Sequence, residues 1–179
     1  MEKRYPDAYL HYLMEYHATR DFFECHELLE EYWKEHPGDS RAELWVGLIQ
    51  LAVGHYHLRR GNYNGARKIY ANALYRLNPP ALRELGIDGD KLLHALTLRQ
   101  ENLVAGELVG YKEMDFDLID PLLEAEMQKR CEAAGLQWGK IEGIEAAIIH
   151  RHKLRDRSDI VAARAAAAEL KKKSRPGAV

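Results

Sequence analysis

The sequence predicts an all-α protein, a compact multi-helix bundle with a basic helix at its C-terminal end. Three observations support this prediction. Hydrophobic residues make up 46% of the 179 positions, which is enough for one domain with a substantial core. Apolar residues recur at helical spacing along most of the chain. Strand signals are nearly missing, since no Asn-Gly or Asp-Gly pair lies between two runs of alternating β-branched residues.

Helical periodicity and turn residues together divide the chain into eight predicted helices. These cover residues 6–19, 21–36, 39–60, 63–77, 89–109, 118–133, 137–153 and 158–173. His36-Pro37-Gly38 ends the second helix, and Asp39 or Ser40 can cap the third through a side-chain oxygen. The short loops make neighbouring helices antiparallel, so residues 6–77 are predicted to form a compact bundle.

The third predicted helix is apolar around most of its circumference, which is typical of a helix in the middle of a bundle. Gly47 and Gly54 lie seven residues apart on this helix, so they are nearly stacked. Each glycine costs about 1 kcal/mol in a helix interior, which indicates that the backbone of another helix approaches closely there. His55 falls inside the apolar arc and is predicted to be a neutral core histidine. Gly61 suits the left-handed position after the helix, and Asn78-Pro79-Pro80 ends the fourth helix.

The charge is distributed unevenly between two predicted parts of the chain, a bundle domain at residues 1–150 and a basic helical tail at residues 151–179. The tail holds nine Lys/Arg and three Asp/Glu, a balance of +6, which leaves −8 for the remainder. Clustered basic residues are one route to nucleic acid, so association through residues 151–179 is one hypothesis. The tail has no aromatic residue to stack on bases, and a solvated helix is the simpler interpretation.

Composition also excludes several classes of protein. No stretch approaches the roughly 20 uninterrupted apolar residues of a membrane span, and the first residues lack the apolar core of a secretory signal. Cys25 and Cys131 are far apart and are predicted to be buried small hydrophobic residues rather than a disulfide or a metal pair. No glycine-rich phosphate loop, dinucleotide fingerprint or nucleophile elbow occurs. We therefore expect a cytoplasmic protein that has no contact with membranes.

One anomaly lies in the stretch "DFFECHELLEEYW", residues 21–33. Phe22, Cys25, Leu29 and Trp33 belong to a continuous apolar arc on a helical wheel, and His26 and Glu30 fall inside that arc. A carboxylate on an apolar stripe needs a cation, several hydrogen-bond donors or a metal. The stripe therefore predicts a specific partner for Glu30, and His26 stands one turn away, at i, i+4.

Three hypotheses explain these two residues. The first is a buried His26–Glu30 pair, tied to Gln50 or His57, that fixes the register of helix packing. The second is a pocket for a metal or a small ligand. The third is metal-assisted hydrolysis with Glu27 as general base, because "HELLE" is similar to H-E-x-x-H, although Glu30 stands where the second histidine belongs.

The same residues resemble a known family. "FFECHELLEEYW" followed by "GLIQLAVGHYHLRRGNYNGARKIYANAL" resembles the small bacterial and archaeal proteins known as domain of unknown function 309, over roughly residues 10–80. The matching positions are His26, Glu27, Glu30, Trp33, Gln50, Leu51, Ala52, His57, Gly61, Asn62, Gly65 and Ala66. The resemblance implies an all-helical fold on a three-helix core and leaves the activity open.

From these observations we expect a binding or scaffolding module rather than an enzyme. Its predicted binding cluster consists of His26, Glu27, Glu30, Trp33, Gln50, His57 and Asn62. No cofactor is predicted, and if a divalent metal binds, its candidate ligands are His26, Glu30 and His57. A protein partner or a second copy of the chain is the expected partner, because tyrosine and tryptophan are frequent at interfaces.

Overall fold

The computed structural model describes residues 4–108, 110–151, 165, 166 and 169. They belong to two compact units, Met1–Ile149 and His150–Val179. Of the predicted tail helix, only Ala165, Ala166 and Glu169 are described, and all three are helical. The rest of residues 158–173 lies outside the described residues, so the nucleic-acid hypothesis for the tail stays a prediction.

The all-α prediction is confirmed. The first unit contains eight α-helices, which are α1 Asp7–Met14, α2 Phe22–Glu35, α3 Ala42–Arg59, α4 Tyr63–Arg76, α5 Pro79–Glu84, α6 Gly89–Ala105, α7 Pro121–Ala133 and α8 Ala146–Ile149. Within the described ranges the sheet-type pairing is a single bridge between Ile87 and Leu118. None of the helices described is both long and apolar enough to cross a membrane.

Helix α3 occupies the centre of the bundle and packs against both α2 and α4. Eleven of its eighteen residues are buried, including Trp45 and His55. This burial follows from the nearly complete apolar circumference seen in the sequence. Because α3 lies at the centre, its His55 side chain is buried among neighbouring helices.

The two glycines of α3 allow the close packing of α4, as their spacing predicts. A Cβ added at Gly47 would lie 2.6 Å from a Leu77 side-chain atom, and one added at Gly54 would overlap the ring of Tyr70. The neighbours are side chains of α4 and of the residue that follows it, rather than its backbone. Residues with a side chain at these positions would push α4 away from α3.

The start of the bundle contains a feature that the sequence does not reveal. Helix α1 continues into a π-helical turn, Glu15–Thr19, and the following Arg20 is left-handed with φ 57°. Arg20 is the one non-glycine residue with positive φ within the described ranges. A left-handed bulky residue is strained, and π turns often mark functional positions, so Arg20 stands out as a position that the surrounding structure holds in place.

One short helix is missing from the prediction and one predicted helix is too long, both for identifiable reasons. Asn78-Pro79 ends α4 but also begins the unpredicted α5, because the Asn78 side chain accepts from the Ala81 N–H and proline suits the first turn. The helix predicted at 137–153 is reduced to α8, because Gly139 and Gly143 adopt positive φ of 79° and 71°. Helical periodicity alone cannot detect either effect.

The connection between α6 and α7 crosses the bundle in an extended form. The Asp88 N–H donates to the Asp117 carbonyl at 2.8 Å, and the Ile119 N–H donates to the Gly86 carbonyl at 2.8 Å. Helix α7 therefore begins at Pro121, three residues later than predicted, with Asp120 as its cap. This crossing brings residues 111–116 against the buried centre, where they supply partners for Tyr16 and His17 of the π-helical turn and for Arg20.

Candidate functional site

The predicted cluster does not form one site. The structure brings His26, Glu27 and Glu30 together on α2, and it places His57 beside Asn62 at the turn between α3 and α4. None of the contacts of His26 or Glu30 that the structure describes involves Gln50 or His57. The hypothesis that Gln50 or His57 ties down the His26–Glu30 pair is therefore wrong in its geometry.

On α2, the imidazole of His26 lies between two carboxylates. Its Nδ1 is 3.4 Å from Glu27 Oε1, and its Nε2 is 3.0 Å from Glu30 Oε2. The three side chains remain between 25% and 34% exposed. The cluster therefore lies at the solvent edge of the helix. The apolar arc had instead suggested a position within the core. The i, i+4 spacing predicts the His26–Glu30 contact correctly.

The cation that Glu30 requires is supplied largely by Lys34. Lys34 Nζ lies 2.9 Å from Glu30 Oε1, the carboxylate oxygen that does not face His26. Burial raises the pKa of Glu30, but the hydrogen bond from Lys34 and the charges of His26 and Lys34 outweigh it and leave the pKa below its ordinary value. Glu30 is therefore ionised at neutral pH and remains available as a ligand.

Metal ligation is geometrically accessible at this cluster. One potential ligand atom from each of His26, Glu27 and Glu30 lies within 4.8 Å of the others, and no other group of three His, Cys, Asp or Glu among the described residues does so. Two ligands at about 2.0–2.1 Å from one ion, subtending roughly 90–110°, lie roughly 2.9–3.4 Å apart. The 3.0 Å between His26 Nε2 and Glu30 Oε2 falls in that range.

His57 and Asn62 have a local role in the α3–α4 turn. The Asn62 side chain accepts from the Gly65 N–H at 3.0 Å and caps α4, and its Nδ2 lies 3.2 Å from His57 Nδ1. Burial and the charge of Arg60 lower the pKa of His57. A neutral His57 accepts the Asn62 amide, so these residues fix the turn instead of joining the metal-ligand group.

Gln50 and Trp33 are also separate from the α2 cluster. Gln50 Oε1 is buried, and no described residue donates a hydrogen bond to it. Trp33 is half-buried and packs against the hydrophobic core. The apolar role of Trp33 follows from its place on the α2 arc, whereas the environment of Gln50 depends on packing between helices.

Sequence reasoning missed a second polar group, which surrounds the buried His55. Its Nε2 lies 2.6 Å from the Tyr16 hydroxyl, and its Nδ1 lies 2.6 Å from the Tyr70 hydroxyl and 3.3 Å from Arg99 Nη1. Tyr16 donates its own proton to the Met114 carbonyl at 2.6 Å, so these partners assign the His55 proton to Nε2. Nδ1 then accepts from Tyr70 and Arg99.

His55 is a neutral core histidine, as predicted, but it has more partners than a sequence position can reveal. Burial lowers its pKa well below the ordinary value, and the nearby charges of Arg99, Arg59 and Arg20 lower it further. Burial also raises the pKa of the Tyr16 and Tyr70 hydroxyls, which keeps them protonated as donors. The group is therefore a fixed set of neutral hydrogen bonds beside three cations.

A third polar group lies around the fully buried Arg20. Its Nε donates to the Lys140 carbonyl at 2.6 Å, and its Nη1 pairs with Asp115 Oδ1 at 2.6 Å. His17 is buried next to it, accepts the Phe116 N–H through Nε2 at 2.9 Å, and lies 3.0 Å from the Leu13 carbonyl through Nδ1. Burial lowers the pKa of His17 to about 4. No periodicity in the sequence predicts this long-range pairing.

A cleft of about 610 Å³ opens between α6 and the connection that follows it. Its lining includes Arg99, Met114 and Asp115, which also contact the buried His55 and Arg20 groups. Arg99 Nη2 donates to the Lys112 carbonyl at 2.5 Å and so joins the cleft to the connection. None of the seven predicted binding residues lines this cleft.

Comparisons with known proteins identify relatives without an assigned activity. A family model described as "Domain of unknown function (DUF309)" matches residues 9–69. The chain is 41% identical over 174 residues to the uncharacterised protein YpuF of Bacillus subtilis, a match that covers 96% of this chain and 99% of YpuF. No solved structure matches this chain. The matched family region includes the α2 cluster, the α3–α4 turn and His55.

Proposed function

The chain belongs to the family of domain of unknown function 309, and we propose from its own geometry that it is a binding module. In this proposal, α2 holds a divalent transition-metal ion. The observation that carries the proposal is the imidazole of His26, which faces a carboxylate through each ring nitrogen. In this arrangement Nε2 and Glu30 Oε2 bind the ion. Imidazole with a carboxylate suits Zn²⁺ and Ni²⁺.

Glu27 has a supporting role in this proposal. Its carboxylate faces Nδ1, the ring nitrogen that does not face Glu30. A carboxylate that accepts the Nδ1–H fixes the imidazole tautomer and orientation and raises its basicity as a ligand. This role differs from the general base of the hydrolase hypothesis, which stays a prediction.

The proposal also accounts for a partner. Two side chains from one helix leave at least half of the coordination positions of the ion to water, and a histidine or carboxylate of a partner protein or of a second copy can replace that water. The half-exposed cluster is accessible to such a partner. A cytoplasmic location is part of the same proposal and is consistent with the two free, buried cysteines.

Calorimetric titration of Zn²⁺ into the chelator-treated full chain tests the proposal. We expect one equivalent to bind, with affinity reduced about tenfold or more in His26→Ala and Glu30→Gln. The matched controls His94→Ala and Glu31→Gln alter exposed helical residues outside the ligand set and should bind as the parent does. Binding that survives unchanged in both His26→Ala and Glu30→Gln would contradict the proposal.

A further inference from the structure

Arg59, at the end of α3, is a largely buried cation without a carboxylate partner. No described residue forms an ion pair with it within 4.0 Å, while Glu113 and Asp21 act on it only from longer range. Among the described residues its one hydrogen-bond acceptor is the Arg20 carbonyl, which lies 2.8 Å from Nη1. Burial lowers its pKa, because the loss of water outweighs the attraction of these more distant carboxylates.

The unpartnered atoms of Arg59 share one edge of the guanidinium. Nε and Nη2 are both shielded from solvent, and neither donates to any described residue. These two nitrogens hold parallel N–H bonds, the fork that matches the two oxygens of a carboxylate or phosphate. The structure thus leaves free the edge of Arg59 that is best suited to bidentate recognition.

The nearest aromatic ring does not satisfy this edge. Arg59 Cζ lies 4.6 Å from the centroid of the Phe22 ring, so the ring covers a face of the guanidinium. A cation–π contact uses that face, whereas the N–H donors lie in the plane of the group. The hydrogen-bonding capacity of Nε and Nη2 therefore remains unused.

Arg20, whose backbone carbonyl accepts from Arg59, also has an unpartnered donor. Arg20 is fully buried, and its Nη2 has no partner among the described residues, although its Nη1 pairs with Asp115. The bond from Arg59 to the Arg20 carbonyl joins the two residues directly. Glu113 lies 3.8 Å from Arg20 and accepts from the Tyr111 hydroxyl at 2.7 Å, so the nearby carboxylates are already engaged.

We infer that the free edge of Arg59 binds a small oxyanion, a phosphate or a carboxylate. Because the free donors are shielded from solvent, they are out of reach of a macromolecular surface, and we take a small ion as the ligand. This site is separate from the α2 metal cluster and does not depend on the proposed function.

Nuclear magnetic resonance on the ¹⁵N-labelled full chain tests this inference. The Arg59 Nε–H signal, assigned by through-bond correlation, is followed while sodium phosphate or sodium acetate replaces sodium chloride at constant ionic strength. We expect saturable displacement of the signal by at least one of the two oxyanions, and the one that binds identifies the class. A signal that neither oxyanion displaces would overturn the inference.

Variants separate bidentate recognition from simple charge attraction. Arg59→Lys keeps the charge but loses the pair of parallel N–H donors. We expect this variant to need at least a tenfold higher oxyanion concentration than the parent for the same increase in melting temperature. Arg67→Gln removes an exposed arginine of α4 and should respond as the parent does. Equal responses of Arg59→Lys and the parent, or an equal loss in Arg67→Gln, would contradict the inference.

Discussion

His55 shows how a single buried residue is held by hydrogen bonds from several elements. Its two ring nitrogens contact Tyr16 and Tyr70, and these phenols come from the π-helical turn and from α4. Each bond satisfies a group that would otherwise be buried without a partner, at a cost of about 1–3 kcal/mol. The imidazole therefore joins three parts of the bundle through uncharged contacts.

Removal of the Tyr70 hydroxyl should measure this contribution. In Tyr70→Phe, His55 Nδ1 keeps only the longer contact to Arg99 at 3.3 Å. We expect the free energy of unfolding to fall by about 1–3 kcal/mol in denaturant titrations. Tyr75→Phe is the control, because Tyr75 is 87% exposed and should change stability little. A Tyr70→Phe protein as stable as this control would contradict the role given to His55.

At the scale of single residues, sequence reasoning succeeds where contacts are local. The i, i+4 pair of His26 and Glu30 follows from helix geometry. The neutral state of His55 follows from its place in the apolar arc of α3, which buries it. The same reasoning grouped His57 with the α2 cluster and overlooked Arg20. Tertiary packing decides which side chains of different helices meet. The periodicity of a single sequence does not reveal that packing.

The close contact between α3 and α4 depends on glycine residues of α3. Gly54 faces the Tyr70 ring, and that ring cannot move away freely because its hydroxyl is bonded to His55. Small residues on α3 and the buried His55 group thus depend on one another. The Gly47–Gly54 spacing predicts this close approach, but not that an aromatic side chain occupies the space.

Alanine at Gly54 tests this interface. Alanine favours the helix by about 1 kcal/mol, but its methyl group would overlap Tyr70. Overpacking typically costs about 1–3 kcal/mol, so after the gain in helix propensity we expect a net loss of up to about 2 kcal/mol in the free energy of unfolding. Gly38→Ala is the control, since nothing lies within 4 Å of a Cβ built there. A Gly54→Ala protein more stable than the parent in thermal melts would show that α4 can move away at no cost.

Helix bounds illustrate the same division between local and long-range information. Helices α2, α3 and α4 match their predicted ranges within three residues, because caps, glycines and prolines mark their ends. Helix α5 and the extended crossing after α6 were missed. Their stability depends on contacts with other parts of the bundle, such as the bond between Asp88 and Asp117.

For the molecule as a whole, two buried neutral histidines link stability to pH. Burial lowers the pKa of His17 to about 4 and that of His55 well below its ordinary value, whereas both titrate near 6.5 in the unfolded chain. The unfolded state therefore binds more protons between those values. The contribution of His17 to stability is complete above pH 6.5 and is lost as the pH falls toward 4, and that of His55 is lost in the same direction.

Acidification from pH 7 to pH 5 should reduce the free energy of unfolding by roughly 2 kcal/mol through His17 alone, with a further loss through His55. His17→Gln removes the titrating group, so its loss over the same interval should be smaller by about that amount. The control His94→Gln changes an exposed histidine and should lose as much as the parent. Equal pH dependence in His17→Gln and the parent would contradict the buried neutral state of His17.

The central claim, that α2 holds a divalent metal through His26, is tested most directly by the imidazole ¹⁵N resonances of His26 during Zn²⁺ titration of the full chain. The account predicts that the Nε2 resonance moves to the position of a metal-bound nitrogen, while Nδ1 remains protonated against Glu27. The same titration of Glu30→Gln should leave both resonances nearly unchanged, and Glu31→Gln should respond as the parent does. Zn²⁺ that binds the parent without moving either His26 resonance would contradict the claim.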